Sequence, residues 1–158
     1  MSYYGEVKIE ERPATDHELA TLLDAAFAEL VARYGPEGRS QVKEGARFLV
    51  ASVDGQAVGC GAVQPMADGA GELKRMYVVP AQRGRGIATA LLSALEDLAR
   101  SLGHHRLLLA TGLRQPEAIA LYERCAYTLT EPYGRYVGAP LTRCYVKALC
   151  AADAGGLA

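Results

Sequence analysis

The sequence predicts a single α/β domain in which a mixed sheet carries helices on both faces. A chain of 158 residues fits one domain, and its 50% hydrophobic content is enough to build a core. Patterned segments run strand, helix, three strands, helix, strand, helix, two strands. An early hairpin and a later strand–helix–strand unit imply both antiparallel and parallel pairing. We expect residues 1–150 to form the domain and the Ala- and Gly-rich residues 151–158 a flexible tail.

The first elements are a short strand and an amphipathic helix. Val7–Ile9 alternates as a strand does. Thr15 and Glu18 have the spacing of a capping box, and Gly35-Pro36 ends the helix that follows. One face of that helix is apolar and comprises Leu19, Leu22, Leu23, Ala26, Phe27, Leu30 and Val31.

Three strands follow. Asp54-Gly55 is a strong turn signal, so Phe48–Val53 and Gln56–Val63 are expected to pair as a hairpin. Glu72–Val79 is the next strand.

The second half continues as helix, strand, helix and two strands. The segment after the glycines is predicted to be a helix that ends at Gly103. Its apolar residues at helical spacing are Ile87, Leu91, Ala94, Leu95, Leu98 and Leu102. Arg106–Thr111 has a continuous apolar middle and is expected inside the sheet. Pro116 opens a helix, and short strands around Tyr127 and at Cys144–Leu149 close the domain.

Charge and cysteine content exclude several classes of protein. The net charge of -1 gives no general attraction for nucleic acid or an anionic membrane, and no apolar run is long enough to span a bilayer. Residues 1–10 lack the apolar centre of a signal peptide, which favours a cytoplasmic protein. The four cysteines form no CxxC pair and have no nearby His, so we expect reduced thiols and no metal site.

A glycine loop is the sharpest local feature. The strand stops at Pro80, a loop carries Gly84 and Gly86 between arginines, and a helix starts at Ile87. Glycines let backbone amides approach an anion, and a helix N-terminus adds free donors and a positive dipole end. Strand before and helix after favour a phosphate site over a plain structural turn.

Two nucleotide-binding loops are excluded at this position. A P-loop needs Gly-Lys-Ser/Thr, whereas this chain has Ile87-Ala88 after its glycines. A Rossmann loop needs Gly or Ala where Thr89 stands, and an acidic residue about twenty positions on, which the segment 101–105 does not supply.

Two motifs resemble one family. Residues 83–88, Arg-Gly-Arg-Gly-Ile-Ala, match the R/Q-x-x-G-x-G/A signature of the GNAT superfamily of N-acetyltransferases, with Val78-Val79-Pro80 as the usual lead-in. Residues 117–127 resemble its second motif, A-I-x-L-Y-x-x-x-G-F/Y. The motifs cover Glu72–Tyr127, and the element order resembles the family over nearly the whole chain. Gln115 replaces a usual Asn, and Ala126 replaces a Gly that would favour a left-handed turn.

The resemblance implies a mostly antiparallel sheet with a cofactor cleft between the fourth and fifth predicted strands. The implied cofactor is acetyl-CoA, with its pantetheine amides against strand backbone and its pyrophosphate on the loop amides. The implied cofactor-binding residues are Met76, Tyr77, Val78, Arg83, Gly84, Arg85, Gly86, Ile87, Ala88, Thr89 and Gln115.

Two residues are catalytic candidates. Tyr122 occupies the position of the family's tyrosine that hydrogen-bonds the coenzyme A sulfur; the alternative is a core tyrosine. Glu72 is in register with a position where relatives carry a base that acts through water; the alternative is a solvated strand-end carboxylate. Lys74 and Arg75 are expected to be solvated surface charges.

The loop at residues 131–140 holds candidate substrate contacts. Tyr133 and Tyr136 would pack against an acceptor or hold its charged end, or else merely cover a sheet edge. We expect direct transfer of acetyl to the primary amine of a small molecule, without a metal and without an acyl-cysteine. A silent acyl-CoA sensor and a protein N-terminal acetyltransferase remain alternatives, and strand pairing near Cys144 would make a homodimer.

Overall fold

A computed structural model describes residues 2–36 and 40–149. The helices in this part of the chain are α1 His17–Tyr34, α2 Ile87–Ser101 and α3 Pro116–Arg124. The strands are β1 Ser2–Tyr4, β2 Val7–Arg12, β3 Arg47–Val53, β4 Gln56–Pro65, β5 Ala70–Val78, β6 Arg106–Gly112, β7 Thr128–Thr130 and β8 Thr142–Ala148. None of these helices is long and apolar enough to cross a membrane.

The strands form one sheet in the order β1-β2-β3-β4-β5-β6-β8-β7. Only β5 and β6 pair in parallel; the other neighbours are antiparallel. The predicted fold class is therefore confirmed, with β1 as a strand that the sequence did not predict. The expected tail at 151–158 lies outside the described residues.

Two apolar layers cover the two faces of the sheet. Along β3, Phe48 and Val50 belong to one buried cluster while Leu49 and Ala51 belong to the other, as the alternation of side chains in a strand requires. Leu19 and Leu22 place α1 on the first face. The second face is covered by α2 and α3 through Leu91, Leu92, Leu95, Leu121 and Tyr122.

The sheet splits between β5 and β6. The two strands are paired only where Ala70, Gly71 and Glu72 meet Arg106, Leu107 and Leu108. β5 continues to Val78 and β6 to Gly112 without further pairing between them. Because β1 was not predicted, the predicted fourth and fifth strands correspond to β5 and β6. The split is therefore the opening that was predicted between them.

The N-terminus of α1 differs from the predicted capping box. The cap is Asp16, not Thr15, and the Asp16 carboxylate accepts a hydrogen bond from the Leu19 amide at 2.9 Å. Glu18 does not close a box, because its carboxylate accepts a hydrogen bond from Arg12 instead. Arg12 also donates to Asp16, so one guanidinium ties β2 to the start of α1.

Ala126 keeps the left-handed backbone that its family position implies. Its φ is 74°, in the turn between α3 and Tyr127, although it has a Cβ. The Tyr127 amide still bonds the Tyr122 carbonyl at 2.9 Å, so the turn closes despite the strain. A left-handed conformation costs a non-glycine residue about 1–2 kcal/mol.

Ala126→Gly should therefore raise the free energy of unfolding. Relief of strain outweighs the added flexibility of the unfolded chain, and we expect a gain of about 0.5–1 kcal/mol. Urea unfolding measures the change. Ala20→Gly, at an exposed position within α1, is the matched control and should lower stability by about 1 kcal/mol. Equal losses in both variants would show that Ala126 is not strained.

Candidate active site

One cleft of about 940 Å³ occupies the split in the sheet. Its walls come from α1, the second half of β5, the glycine loop, the end of β6, α3 and the segment 135–142. Most of the predicted site residues line it: Met76, Tyr77, Val78, Arg83, Gly84, Gly86, Ile87, Ala88, Thr89, Gln115, Tyr122 and Tyr136. Arg85, Glu72 and Tyr133 are not among its lining residues.

The glycine loop presents uncapped backbone amides to the cleft. Gly84 and Gly86 have φ values of 80° and 82°, and nothing lies within 4 Å of a Cβ built at either residue. Gly86 is the N-cap of α2 and has no side chain to cap the first amides of the helix. Free amides, open space and a positive helix end together are the properties of an anion site.

Gln82 adds an unusual polar atom beside this loop. Its side-chain oxygen is buried and has no hydrogen-bond partner in the described part of the chain, and the residue lines the cleft. A buried polar atom without a partner is costly. A ligand in the cleft that carries hydrogen-bond donors would remove that cost.

The two loop arginines differ in position. Arg83 donates from Nε to the Val78 carbonyl and from Nη2 to Glu29, both at 2.8 Å, and lies over the Tyr77 ring. Arg85 is exposed and outside the cleft lining. Because Arg83 already pairs with Glu29 of α1, the backbone amides are the freer of the two sources of positive potential at the loop.

A β-bulge interrupts β5 within the cleft wall. Cys60 of β4 is opposite Tyr77, but Ala62 is opposite Lys74, so β5 contains one extra residue. Arg75 takes a φ of 61° at this point, and its carbonyl accepts from the Cys60 thiol at 3.4 Å. An arginine at positive φ carries no sequence signal, which explains why the bulge was not predicted.

The bulge sets which side chains face which layer. A Cβ on Gly61 would collide both with Leu95 of α2 and with Met76, so Met76 lies on the α2 face of the sheet. Val78 packs on the same face. Tyr77 packs on the opposite face, against the cluster around Leu19.

Tyr122 lies at the α3 side of the cleft. The residue is 6% exposed and stacks edge-on against Tyr127 with ring centroids 5.7 Å apart. Burial raises the pKa of its phenol above the ordinary value of 10.0, with a smaller contribution from Cys125. The hydroxyl therefore stays protonated at neutral pH and serves as a donor, not as a base.

Glu72 is buried among polar partners and does not face the cleft. Its carboxylate accepts hydrogen bonds from Gln64 at 3.0 Å and from Tyr133 at 2.8 Å, and Lys74 lies 3.5 Å away. Burial, followed by the negative charge of Glu72, raises the pKa of Tyr133. Tyr133 thus supports Glu72 and is not among the residues that line the cleft.

Lys74 is not the solvated surface charge that the sequence predicted. Its side chain is only 8% exposed, and its ammonium donates to Ser40 Oγ at 2.7 Å and to the Tyr136 hydroxyl at 2.9 Å. Lys74, Ser40 and Tyr136 all line the cleft. No local signal in the sequence marks Lys74 as buried, because its partners Ser40 and Tyr136 lie far from it in the chain.

The C-terminal end of α1 is tied to the segment before α3. Arg33 and Glu117 form an ion pair, Arg33 donates to the Arg114 carbonyl at 3.0 Å, and the Arg114 amide donates to the Tyr34 hydroxyl at 2.7 Å. A Cβ on Gly112 would overlap the Tyr34 ring, so glycine is needed there. These contacts close one end of the cleft beside Gln115, the residue at the N-cap of α3.

Comparison with known proteins gives the class of protein. A profile of the acetyltransferase (GNAT) family matches residues 10–127. The chain therefore belongs to the GNAT acetyltransferase family, which uses acetyl-CoA, so the cofactor inferred from the sequence is confirmed.

Individual relatives agree with this family. An "IAA acetyltransferase" of Azospirillum brasilense is 45% identical over 97 residues, which are 61% of this chain and 63% of that protein. The matched region spans less than two thirds of this relative, and 62% and 65% of two further N-acetyltransferase relatives.

Solved structures share the fold over almost the whole chain. A proposed acyl-CoA N-acyltransferase of Klebsiella pneumoniae has a TM-score of 0.80 and 35% identity, covering 90% of this chain and 97% of that one. A GNAT family acetyltransferase of Elizabethkingia anophelis, solved with acetyl-CoA bound, has a TM-score of 0.70 and 17% identity over 92% of this chain and 100% of that one.

Gly86→Ala should weaken the binding of coenzyme A. The added Cβ enters open space in front of the α2 amides and separates them from a phosphate. Hydrogen bonds to charged groups are each worth about 1.5–3 kcal/mol, so loss of one predicts about a 10- to 100-fold rise in Kd. Titration calorimetry with coenzyme A measures this rise.

Gly103→Ala is the matched control for this variant. Gly103 follows the other end of α2, has a φ of 88°, and also has nothing within 4 Å of a built Cβ. Both variants should lose similar stability, but Gly103→Ala should bind coenzyme A as the parent does. If Gly86→Ala and Gly103→Ala bound coenzyme A with the same affinity, this loop would not be the anion site.

Proposed function

We propose that this protein is an N-acetyltransferase that moves the acetyl group of acetyl-CoA to the primary amine of a small molecule by direct attack. The observation that carries the proposal is the continuity of the cleft. A single cavity connects the amides at the start of α2, the unpaired half of β5, Tyr122 and the face of the sheet covered by α1. Two substrates entering from the two faces would meet in the split.

The residues of the cleft fit acetyl-CoA in its two distinct parts. The open glycine loop and the uncapped amides of α2 suit a pyrophosphate. The unpaired edge of β5 beyond Glu72 offers backbone groups to the amides of a pantetheine arm. Met76, Tyr77, Val78, Arg83, Gln115 and Thr89 remain proposed contacts because they line the same cavity. Arg85, outside the lining, is assigned only a contribution to the charge of the loop.

Acetyl transfer needs an activated acyl group, which the thioester supplies, and two proton movements. As the new C–N bond forms and the C–S bond breaks, the amine nitrogen gives up one proton and the departing sulfur takes one. Tyr122, protonated at neutral pH and placed at the cleft wall, is the proposed donor to the sulfur.

The geometry of Glu72 does not favour it as the group that removes the amine proton. Both carboxylate oxygens already have partners, and Lys74 lies between Glu72 and the cleft. We therefore propose that the amine enters in its neutral fraction, and that Glu72 positions Lys74 and Tyr133 instead of acting as the direct base. Among the described residues, the neighbours of the Glu72 carboxylate that could pass a proton to it are Lys74 and the Tyr133 hydroxyl.

The remaining proposals concern the setting of the enzyme. A small acceptor is favoured over a protein N-terminus because Tyr136 and the segment 139–142 line the cleft on the acceptor side. A cytoplasmic location stays a proposal. A homodimer through Cys144 would have to displace β7, which already pairs with Cys144, Tyr145 and Val146, so a strand-mediated dimer at this end of the sheet would use β7 itself.

Tyr122→Phe should lower kcat about 100-fold and leave the KM for acetyl-CoA little changed. The ring packing stays and only the donor hydroxyl is lost; removal of one positioned acid typically costs about 10²–10⁴-fold. Steady-state thiol release with a reactive amine measures both constants.

Tyr127→Phe is the control for Tyr122. Tyr127 is the neighbouring ring, and its hydroxyl donates to Glu96 outside the cleft. We expect its kcat to equal that of the parent. A Tyr122→Phe enzyme as fast as Tyr127→Phe would make Tyr122 a core residue only.

A further inference from the structure

We propose that the acceptor amine carries a carboxylate, and that the Tyr136 hydroxyl, polarised by the buried Lys74 ammonium, is the group that recognises it. The inference rests on the proposed N-acetyltransferase function and names the substrate class of that site.

The Tyr136 hydroxyl carries a hydrogen that its bond with Lys74 does not use. The Tyr136 oxygen accepts a hydrogen bond from Lys74 Nζ at 2.9 Å. A hydroxyl has one hydrogen to donate, and within residues 2–36 and 40–149 no atom accepts it. Since the residue lines the cleft, that hydrogen is available to a ligand there.

Lys74 is held in place beside Tyr136 by its other partners. Its ammonium is held on three sides, by Ser40 Oγ at 2.7 Å, by Tyr136 at 2.9 Å and by the Glu72 carboxylate at 3.5 Å. Glu72 is in turn fixed by Gln64 and Tyr133. A buried charge with several partners is rigid, because breaking any one of them leaves a polar group unsatisfied.

The Tyr136 hydroxyl favours a negatively charged ligand group over a positively charged one. An oxygen that already accepts from an ammonium is a poor acceptor for a second cation and a stronger donor to an anion. Lys74 and Arg135 also lie 5.5 and 5.9 Å from the centroid of the Tyr136 ring. A carboxylate oxygen therefore suits this position better than an ammonium does, which argues against polyamines as acceptors.

The acceptor wall also has an apolar part. Besides the charged Glu29 and Arg33, α1 lines the cleft with Leu23, Ala26, Phe27 and Leu30, and Leu141 lines it as well. Apolar surface of this kind suits an aliphatic or aromatic side chain. The arrangement points to an amine with a carboxylate at one end and an apolar group beside it, as in an amino acid.

The experiment compares matched pairs of acceptors. L-Leucine and L-phenylalanine are tested against 3-methylbutylamine and 2-phenylethylamine, their counterparts without the carboxylate, and the other proteinogenic amino acids extend the panel. The parent should show the higher kcat/KM for the carboxylate member of at least one pair. The measured quantity is the ratio of kcat/KM for the carboxylate acceptor to kcat/KM for its carboxylate-free counterpart. Tyr136→Phe should reduce this ratio about 10- to 100-fold, as expected for loss of one hydrogen bond to a charged group.

Tyr145→Phe is the control. Tyr145 also donates its hydroxyl to a carboxylate, that of Glu123 at 2.8 Å, but it does not line the cleft. Its ratio should match the parent's. A parent that prefers the carboxylate-free amines, or a Tyr136→Phe enzyme that loses rate equally on both members of a pair, would overturn the assignment; the latter would place Tyr136 against the thioester instead.

A binding measurement separates this proposal from the proposed activity. In the presence of coenzyme A, N-acetyl-L-leucine and N-acetyl-L-phenylalanine are titrated against their amides by calorimetry. The parent should bind the acids more tightly, and Tyr136→Phe should lose the difference. If no amine is acetylated but this difference is present, the proposed function fails and the carboxylate site stands. If acids and amides bind alike, the carboxylate site is wrong even where amines are acetylated.

Discussion

The early end of pairing between β5 and β6 is the constraint on which the rest of the site depends. After three residue pairs the two strands separate, and the backbone of β5 loses its partner from Leu73 onward on that side. A strand edge without a partner offers its backbone donors and acceptors to the cleft, where a ligand with its own amides can pair with them. The bulge at Arg75 lies in the same stretch and redirects the side chains of the strand.

The second structural element is a buried charge pair on the α1 face. Glu72 and Lys74 lie two residues apart on β5, so their side chains share one face of the sheet. Neither charge would be stable there alone, and each is completed by hydroxyl or amide groups from Ser40, Gln64 and the tyrosines of the segment 133–136. This network fixes the loop of residues 133–136 against the cleft. It links Tyr136, the proposed acceptor contact, to the same strand that forms the proposed cofactor edge.

Elements governed by local rules could be predicted from the sequence. The hairpin at Asp54-Gly55 and the helix after Gly86 follow from turn chemistry and apolar spacing, and both are present where expected. The cap of α1 was missed by one residue because Asp16 and Thr15 are both good caps, and only the contact with Arg12 distinguishes them. The glycine loop was identifiable because strand, glycines and helix are contiguous in the chain.

The acceptor side could not be predicted because its contacts join residues far apart in sequence. Lys74 meets Ser40 and Tyr136, which are separated from it by 34 and 62 positions, and nothing local marks Lys74 as buried. Tyr133 and Tyr136 were identified together by their loop, yet the structure divides them. One supports Glu72, and the other faces the cleft.

The central claim is that acetyl-CoA and an amine occupy the two faces of one cleft together, so that transfer is direct. Initial rates measured while both substrates are varied, with the N-acetyl product identified by mass spectrometry, test this claim most directly. The account predicts an acetylated amine, one thiol released for each product, and double-reciprocal lines that intersect. Binding of acetyl-CoA without acetylation of any amine, or parallel lines together with an acetylated protein, would contradict it.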